Sequence, residues 1–201
     1  MRIGFDFDNT IVHYDAIFHK VALEQGVIDD SVAVSKLAVR DYLRQAGKED
    51  IWTEMQGYVY GARMLEADAY PGVISSMQAF KRAGHTLAIM SHKTKYPYMG
   101  EKYDLHAAAR EWIKTNLLDD QGLIIPEENI YFEVTKEDKL ARIQNFGCDV
   151  FIDDLPEILM APTFPRQVKR FLFDPDNNHA TKSLDELQLV SSWPAFAGAV
   201  A

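Results

Sequence analysis

Apolar residues change their period several times along this chain, and the changes mark out its elements. At residues 2–7, Ile3, Phe5 and Phe7 alternate with Arg2, Gly4 and Asp6, the period of a strand with one face in a core. The alternation stops on an acidic turn. Between residues 15 and 67 the spacing becomes helical. Val34, Leu37, Ala38 and Tyr42 make one stripe, and Ile51, Met55, Val59 and Ala62 make another. Asp30-Ser31 offers an N-cap before the first stripe and Gly47 a stop after it. No strand candidate interrupts this stretch, so it reads as a small all-helical insert. Pro71-Gly72 punctuates the chain, and Val73, Met77 and Phe80 then predict a helix that ends near Gly84. Residues 86–90 read as a buried strand ending at Ser91. Leu105, Ala109, Trp112 and Ile113 mark a further helix. A strand at 130–134, a helix at 136–146 closed by Gly147, and strands at 150–152 and 168–173 follow. The Ala-rich tail at 196–201 is expected to fray.

Outside the insert, strands alternate with helices, which implies a parallel sheet covered on both faces. In such sheets ligands bind beyond the carboxyl ends of the strands. That rule brings three separated polar segments to one place: Asp6 to Thr10, Ser91 to Lys95, and Asp153-Asp154. Each directly follows an apolar strand.

Composition narrows the partners. The 201 residues include 21 Lys and Arg against 30 Asp and Glu, a net charge of −9. This opposes a nucleic-acid polymer or an anionic membrane as partner, since both attract positive patches. A small anion remains acceptable if a metal or local lysines reverse the field. No run of 18 apolar residues suits a membrane span, and the first residues reach Asp6 too early for a signal peptide. The expected location is the cytoplasm. The single cysteine, Cys148, fits a small packing residue and offers neither a disulfide nor a metal-binding spacing.

Four clusters carry chemistry. In Asp6-Phe7-Asp8-Asn9-Thr10, carboxylates two residues apart leave a strand end on one side and suit an oxygen-ligated cation such as Mg²⁺. Ser91, followed by His92 and Lys93, puts a hydroxyl and free backbone N–H groups at a second strand end. Lys136 and Lys139 open the helix before the last acidic strand end, where an ammonium could cancel phosphate charge. Asp153 and Asp154 repel each other unless something cationic compensates, and a metal is the economical answer. Pro156 beside them marks a helix start.

In this order, the clusters resemble the haloacid-dehalogenase-like superfamily of phosphohydrolases. Motif I is Asp6 to Thr10, motif II Ser91, motif III Lys139 or Lys136, and motif IV Asp153-Asp154. The resemblance implies an α/β, Rossmann-like core from residues 1–14 and 69–201, with residues 15–68 as a small helical cap. It further implies that Asp6 is the nucleophile and Asp8 the acid and base. Mg²⁺ would be held by Asp6, the Asp8 backbone carbonyl and Asp154, with Asp153 supporting, while Ser91 and Lys139 stabilise the phosphoryl oxygens. Members that cleave carbon–halogen bonds lack the second acid, so Asp8 points to phosphoryl transfer.

The activity so implied is a Mg²⁺-dependent phosphatase for a small phosphorylated metabolite, acting through an aspartyl-phosphate. The loop after Ser91 is basic and aromatic (Lys93, Lys95, Tyr96, Tyr98, Lys102, Tyr103), and His92 is its best candidate for a substrate contact. With the paired acids of motif IV, that loop suggests a 5'-nucleotidase as the alternative. A phosphomutase, or a phosphate-binding regulatory domain without catalysis, completes the set.

Overall fold

The computed structural model describes residues 1–179 and 187–200. The chain divides into two compact units: Met1–Val12, Ala69–Lys93 and Leu117–Ala201 form the first, and His13–Asp68 with Thr94–Asn116 the second. The first is built on a six-stranded sheet: β1 (Arg2–Phe5), β2 (Thr86–His92), β3 (Ile130–Glu133), β4 (Val150–Asp153), β5 (Lys169–Phe173) and β6 (Gln188–Val190). The strands lie in the order β6-β5-β4-β1-β2-β3, and every pairing is parallel. The helices are α1 (Asp15–Glu24), α2 (Lys36–Gln45), α3 (Glu49–Tyr60), α4 (Val73–Arg82), α5 (Leu105–Asn116), α6 (Lys136–Phe146), α7 (Pro156–Leu159) and α8 (Trp193–Val200).

Strand alternation sorts the core of the first unit into two layers. On one face, Ala88, Met90, Phe151 and Leu172 pack with Leu140 and Ile143 of α6 and Ile158 and Leu159 of α7. On the other, the Phe5 ring meets Phe80 of α4 and Trp193 and Phe196 of α8, and Phe171 meets Phe196. The sheet is therefore covered on both sides, as its alternating pattern predicts. Local signals set the helix ends. The Thr135 side chain accepts from the Asp138 N–H to start α6, and Gly147 ends it at φ +72°, a left-handed position that costs glycine little. Pro156 sits in the first turn of α7.

Two elements depart from the sequence reading. The three-residue β6 is a sixth strand the pattern does not announce. Of the tail expected to fray, residues 196–200 belong to helix α8 and Ala201 lies outside the described residues; Trp193 and Phe196 are fully buried, and the Trp193 indole donates to the Thr10 carbonyl at 2.9 Å. Trp193, Phe196 and Val200 recur on one helical face, and that stripe outweighs the small residues between them.

The second unit is helical, with α1, α2 and α3 packed on one another and α5 against α3. Phe18 stacks near Trp52 at 5.0 Å between ring centres, and Tyr14 meets Tyr60 at 4.9 Å. In α2 the buried residues are Val39 and Leu43, whereas Val34, Leu37 and Tyr42 of the expected stripe are exposed. The cap residue is Ser35, which accepts from Leu37 and Ala38, rather than Asp30-Ser31. Residues 94–116, which the sequence reading assigns to the α/β core, belong to this unit. The reason is visible at Gly57, where a Cβ would stand 2.6 Å from Pro97, so only glycine lets that segment lie against α3. No described helix is long and apolar enough to cross a membrane.

Candidate active site

The carboxyl ends of β1, β2 and β4, side by side in the sheet, collect the acids and lysines singled out in the sequence. Asp6 follows β1 directly, and its N–H donates to the Ile152 carbonyl at 2.9 Å, fixing it against β4. The chain then turns sharply: Ile11 and Val12 both donate to the Phe7 carbonyl, and Asn9 takes a left-handed φ of +56°. Asparagine tolerates that conformation better than most residues.

Asp6 is 4% exposed and receives two donors on one oxygen. Ser91 Oγ reaches Asp6 Oδ1 at 2.9 Å and Lys139 Nζ reaches the same atom at 2.5 Å. Lys139 Nζ also lies 2.6 Å from Asp153 Oδ2, and Asp153 Oδ1 accepts the Leu155 N–H at 3.0 Å. Asp153 is fully buried and Lys139 nearly so. The two candidate lysines take different positions. Lys139 stands in the cluster, one helical turn inside α6, whereas Lys136 is exposed and pairs with Glu157.

Burial would by itself strip the proton from Lys139, but the charges of Asp153 and Asp6 outweigh it and hold the ammonium well above the ordinary lysine range. Burial also pushes the Asp6 carboxyl up, with Lys139 pulling it back down and Asp153 adding to the rise. Further positive charge beside Asp6 favours its carboxylate form.

Asp154 completes the group. One carboxylate oxygen each from Asp6, Asp153 and Asp154 lie within 4.8 Å of one another. Asn9 Nδ2 donates to Asp154 Oδ2 at 3.3 Å. Three carboxylates against one ammonium leave a local charge of −2, and every donor is oxygen. Such a set fits a small hard divalent cation such as Mg²⁺.

Asp8 behaves differently. Its carboxylate is outside that group, gripped by Lys93 Nζ at 2.9 and 2.7 Å. Lys93 is 4% exposed and is the residue the sequence reading passed over in favour of its neighbour. His92 does not join the cluster; its ring Nε2 donates to the Val134 carbonyl at 3.2 Å. Period two accounts for both results: Ser91 and Lys93 share one side of β2 and its extension, and His92 takes the other. Lys93 continues the ladder, its N–H donating to the Glu133 carbonyl at 2.8 Å. The basic and aromatic residues farther along, Lys95 to Tyr103, belong to the helical unit.

No protein-family model matches the chain. A protein of Oceanobacillus iheyensis, provisionally named a nucleotidase, is 20% identical over 190 residues, spanning 91% of this chain and 92% of that one. Among solved structures, a haloacid-dehalogenase-family hydrolase of Deinococcus radiodurans, with bound phosphate and sodium, is similar at a TM-score of 0.63 and 16% identity. That likeness covers 100% of this chain and 94% of the other. The L-2-haloacid dehalogenase RSc1362 is similar at a TM-score of 0.59 and 11% identity, over 99% of this chain and 97% of its own. These likenesses are of fold, at low sequence identity. The chain therefore has a haloacid-dehalogenase-like fold.

Proposed function

We propose that the chain is a phosphoric monoester hydrolase that works through an aspartyl-phosphate on Asp6. One observation carries this reading: Ser91 and Lys139 both bind Asp6 Oδ1, which orients the carboxylate and leaves Oδ2 without a recorded partner among the described residues. An oriented, buried carboxylate with a free oxygen is a nucleophile ready for attack. The second acid, Asp8, favours phosphorus over carbon–halogen bonds, because a phosphoester needs its leaving oxygen protonated.

Asp6 Oδ2 bonds to phosphorus while the ester bond breaks, and the leaving oxygen takes its electron pair and a proton from Asp8. Water then attacks the aspartyl-phosphate, gives a proton to Asp8, and returns Asp6 to its free form. Ser91 and Lys139 steady the transferring oxygens. Asp6, Asp153, Asp154 and the Asp8 backbone carbonyl would hold Mg²⁺, which supplies positive charge to the phosphoryl oxygens. Residues 13–68, the part of the helical unit that lies in sequence between Asp8 and Ser91, would serve as a cap.

The substrate is a small phosphorylated molecule, and the nucleotidase name carried by the Oceanobacillus relative favours a nucleoside monophosphate over a sugar phosphate. Hydrolysis of a nitrophenyl phosphate, nucleoside monophosphates and sugar phosphates is measured with Mg²⁺, with EDTA, and with Asp6→Asn. Activity is expected only with Mg²⁺ and only in the parent protein. Turnover surviving Asp6→Asn overturns the nucleophile, and sugar phosphates outpacing nucleotides overturns the substrate class.

A further inference from the structure

Two buried ammonium groups stand at the carboxyl ends of these strands, and the mechanism above uses one. Lys139 lies between Asp6 and Asp153. Lys93 lies elsewhere, with both oxygens of Asp8 within hydrogen-bond reach of its Nζ, at 2.9 and 2.7 Å. The Lys93 side chain is 3% exposed and that of Asp8 22%. The Phe7 ring lies 5.7 Å from the same ammonium. A lysine buried to this extent and holding both oxygens of one carboxylate fixes where that carboxylate points, and it is spaced from Ser91 by the strand period that puts the two on one side.

We infer that Lys93 is a positioning residue for Asp8, committed to the second half-reaction. The inference rests on the phosphohydrolase reading and deepens it. In the first half, Asp8 delivers a proton to the leaving oxygen as the Asp6–phosphorus bond forms and the ester bond breaks. A good leaving group departs without that proton. In the second half no such escape exists. The water oxygen bonds to phosphorus, its proton passes to the Asp8 carboxylate, and the electron pair of the breaking phosphorus–oxygen bond returns to Asp6. That step needs the Asp8 carboxylate aimed at the water, and an ammonium within reach of both its oxygens fixes its direction. Lys93 therefore matters most for hydrolysis of the aspartyl-phosphate.

The test compares the parent protein with Lys93→Met and Lys93→Arg, using 4-nitrophenyl phosphate in stopped flow with Mg²⁺ present. With Met, kcat is expected to fall about 30- to 100-fold, the scale of a misplaced proton-transfer group. KM should fall in parallel, so that kcat/KM changes by less than about 3-fold, because the first step sets kcat/KM. A nitrophenol burst close to one per enzyme should appear, and acid quench should trap a hydroxylamine-labile phosphoprotein. Arg keeps a charged fork for both oxygens and should restore at least about a third of kcat. A purely structural role moves neither the burst nor the ratio of kcat to KM. Unchanged kcat in Lys93→Met overturns the inference, as does an equal fall in kcat and kcat/KM without a burst. If Met unfolds the chain, Lys93→Gln, which keeps a polar stem without the charge, decides by the same two readouts. Failure of the broader reading looks different: the parent itself would then show no turnover, or no phosphoprotein that disappears in Asp6→Asn.

Discussion

Replacing Lys139 by methionine leaves the shape of the cluster nearly intact and removes the cation that Asp6 and Asp153 share. Asp6 and Asp153, 4% and 0% exposed, then face each other uncompensated. Their nearest ligand oxygens lie within 4.8 Å. At an effective dielectric near 20, two unit charges at that separation repel by roughly 3–4 kcal/mol. This agrees with the roughly 3–5 kcal/mol lost when one partner of a buried pair is removed. For a chain of this size the shift in Tm is about 2–4 °C per kcal/mol, so a fall of about 6–16 °C is expected in metal-free buffer. The loss should depend on pH with a definite sign. In the variant, one of the two facing carboxyls holds a proton more tightly folded than unfolded, so the folded state binds more protons and stability falls as pH rises. The deficit is smallest near pH 4, where the unfolded carboxyl also protonates, and grows toward neutrality. Urea unfolding at a series of pH values measures it. Adding Asp153→Asn to the variant removes the repulsion and should recover more than half of the loss. A deficit below about 1 kcal/mol at pH 8, or one that does not change with pH, would refute the view of Lys139 as the cluster's counter-ion.

Three further outcomes test other parts of the structure. Asn9→Gly keeps the left-handed turn but loses the donor to Asp154; Mg²⁺ affinity by calorimetry should weaken roughly 10-fold, as for other groups that orient a ligand, with stability nearly unchanged. Cys148 is buried, and burial, with the neighbouring Asp149 charge adding to it, pushes its thiol up to about 12; Ellman's reagent should therefore label it only as fast as the protein unfolds. Phe196→Ala should cost about 3–5 kcal/mol in urea unfolding, because its ring meets Phe5, Phe171 and Trp193 in the core, whereas a frayed tail would lose nothing.

The fold was legible wherever one period ran long enough to repeat. The strands before Asp6, Ser91 and Asp153 and the helix from Lys136 to Phe146 each repeat their pattern or carry a cap, and the parallel sheet follows from their alternation. Two kinds of element escaped. β6 has three residues and only Val190 buried, too little for any period to show. In α2, the exposed Leu37 and Tyr42 imitate an apolar stripe, while Val39 and Leu43 make the true contact four residues apart. Charge was the sharper guide, because a buried acid needs a partner and the sequence offers few of them near strand ends.

The same rule separates what the sequence reading found at the site from what it missed. The acid pair at the strand end reads in the sequence as a demand for a metal, with Lys139 and Lys136 both left open beside it; in the structure Lys139 is the one that bonds Asp6 and Asp153. Lys93 was missed because its loop holds several lysines, and each alone reads as solvated. Its position relative to Ser91 was the available signal. Two residues along an extended strand return a side chain to the same side, so whatever faces Asp6 from β2 at Ser91 is followed there by Lys93, not His92. Counting charges by side leads to the arrangement found: one ammonium for Asp6 and Asp153, another for Asp8. Among Asp6, Asp153, Asp154 and Lys139 a charge of −2 remains, and it sits where a cation and a phosphoryl group would arrive together. The strand ends thus pair Asp6 and Asp153 with Lys139 and Asp8 with Lys93, and leave beside them a net negative charge of the sign a divalent cation needs.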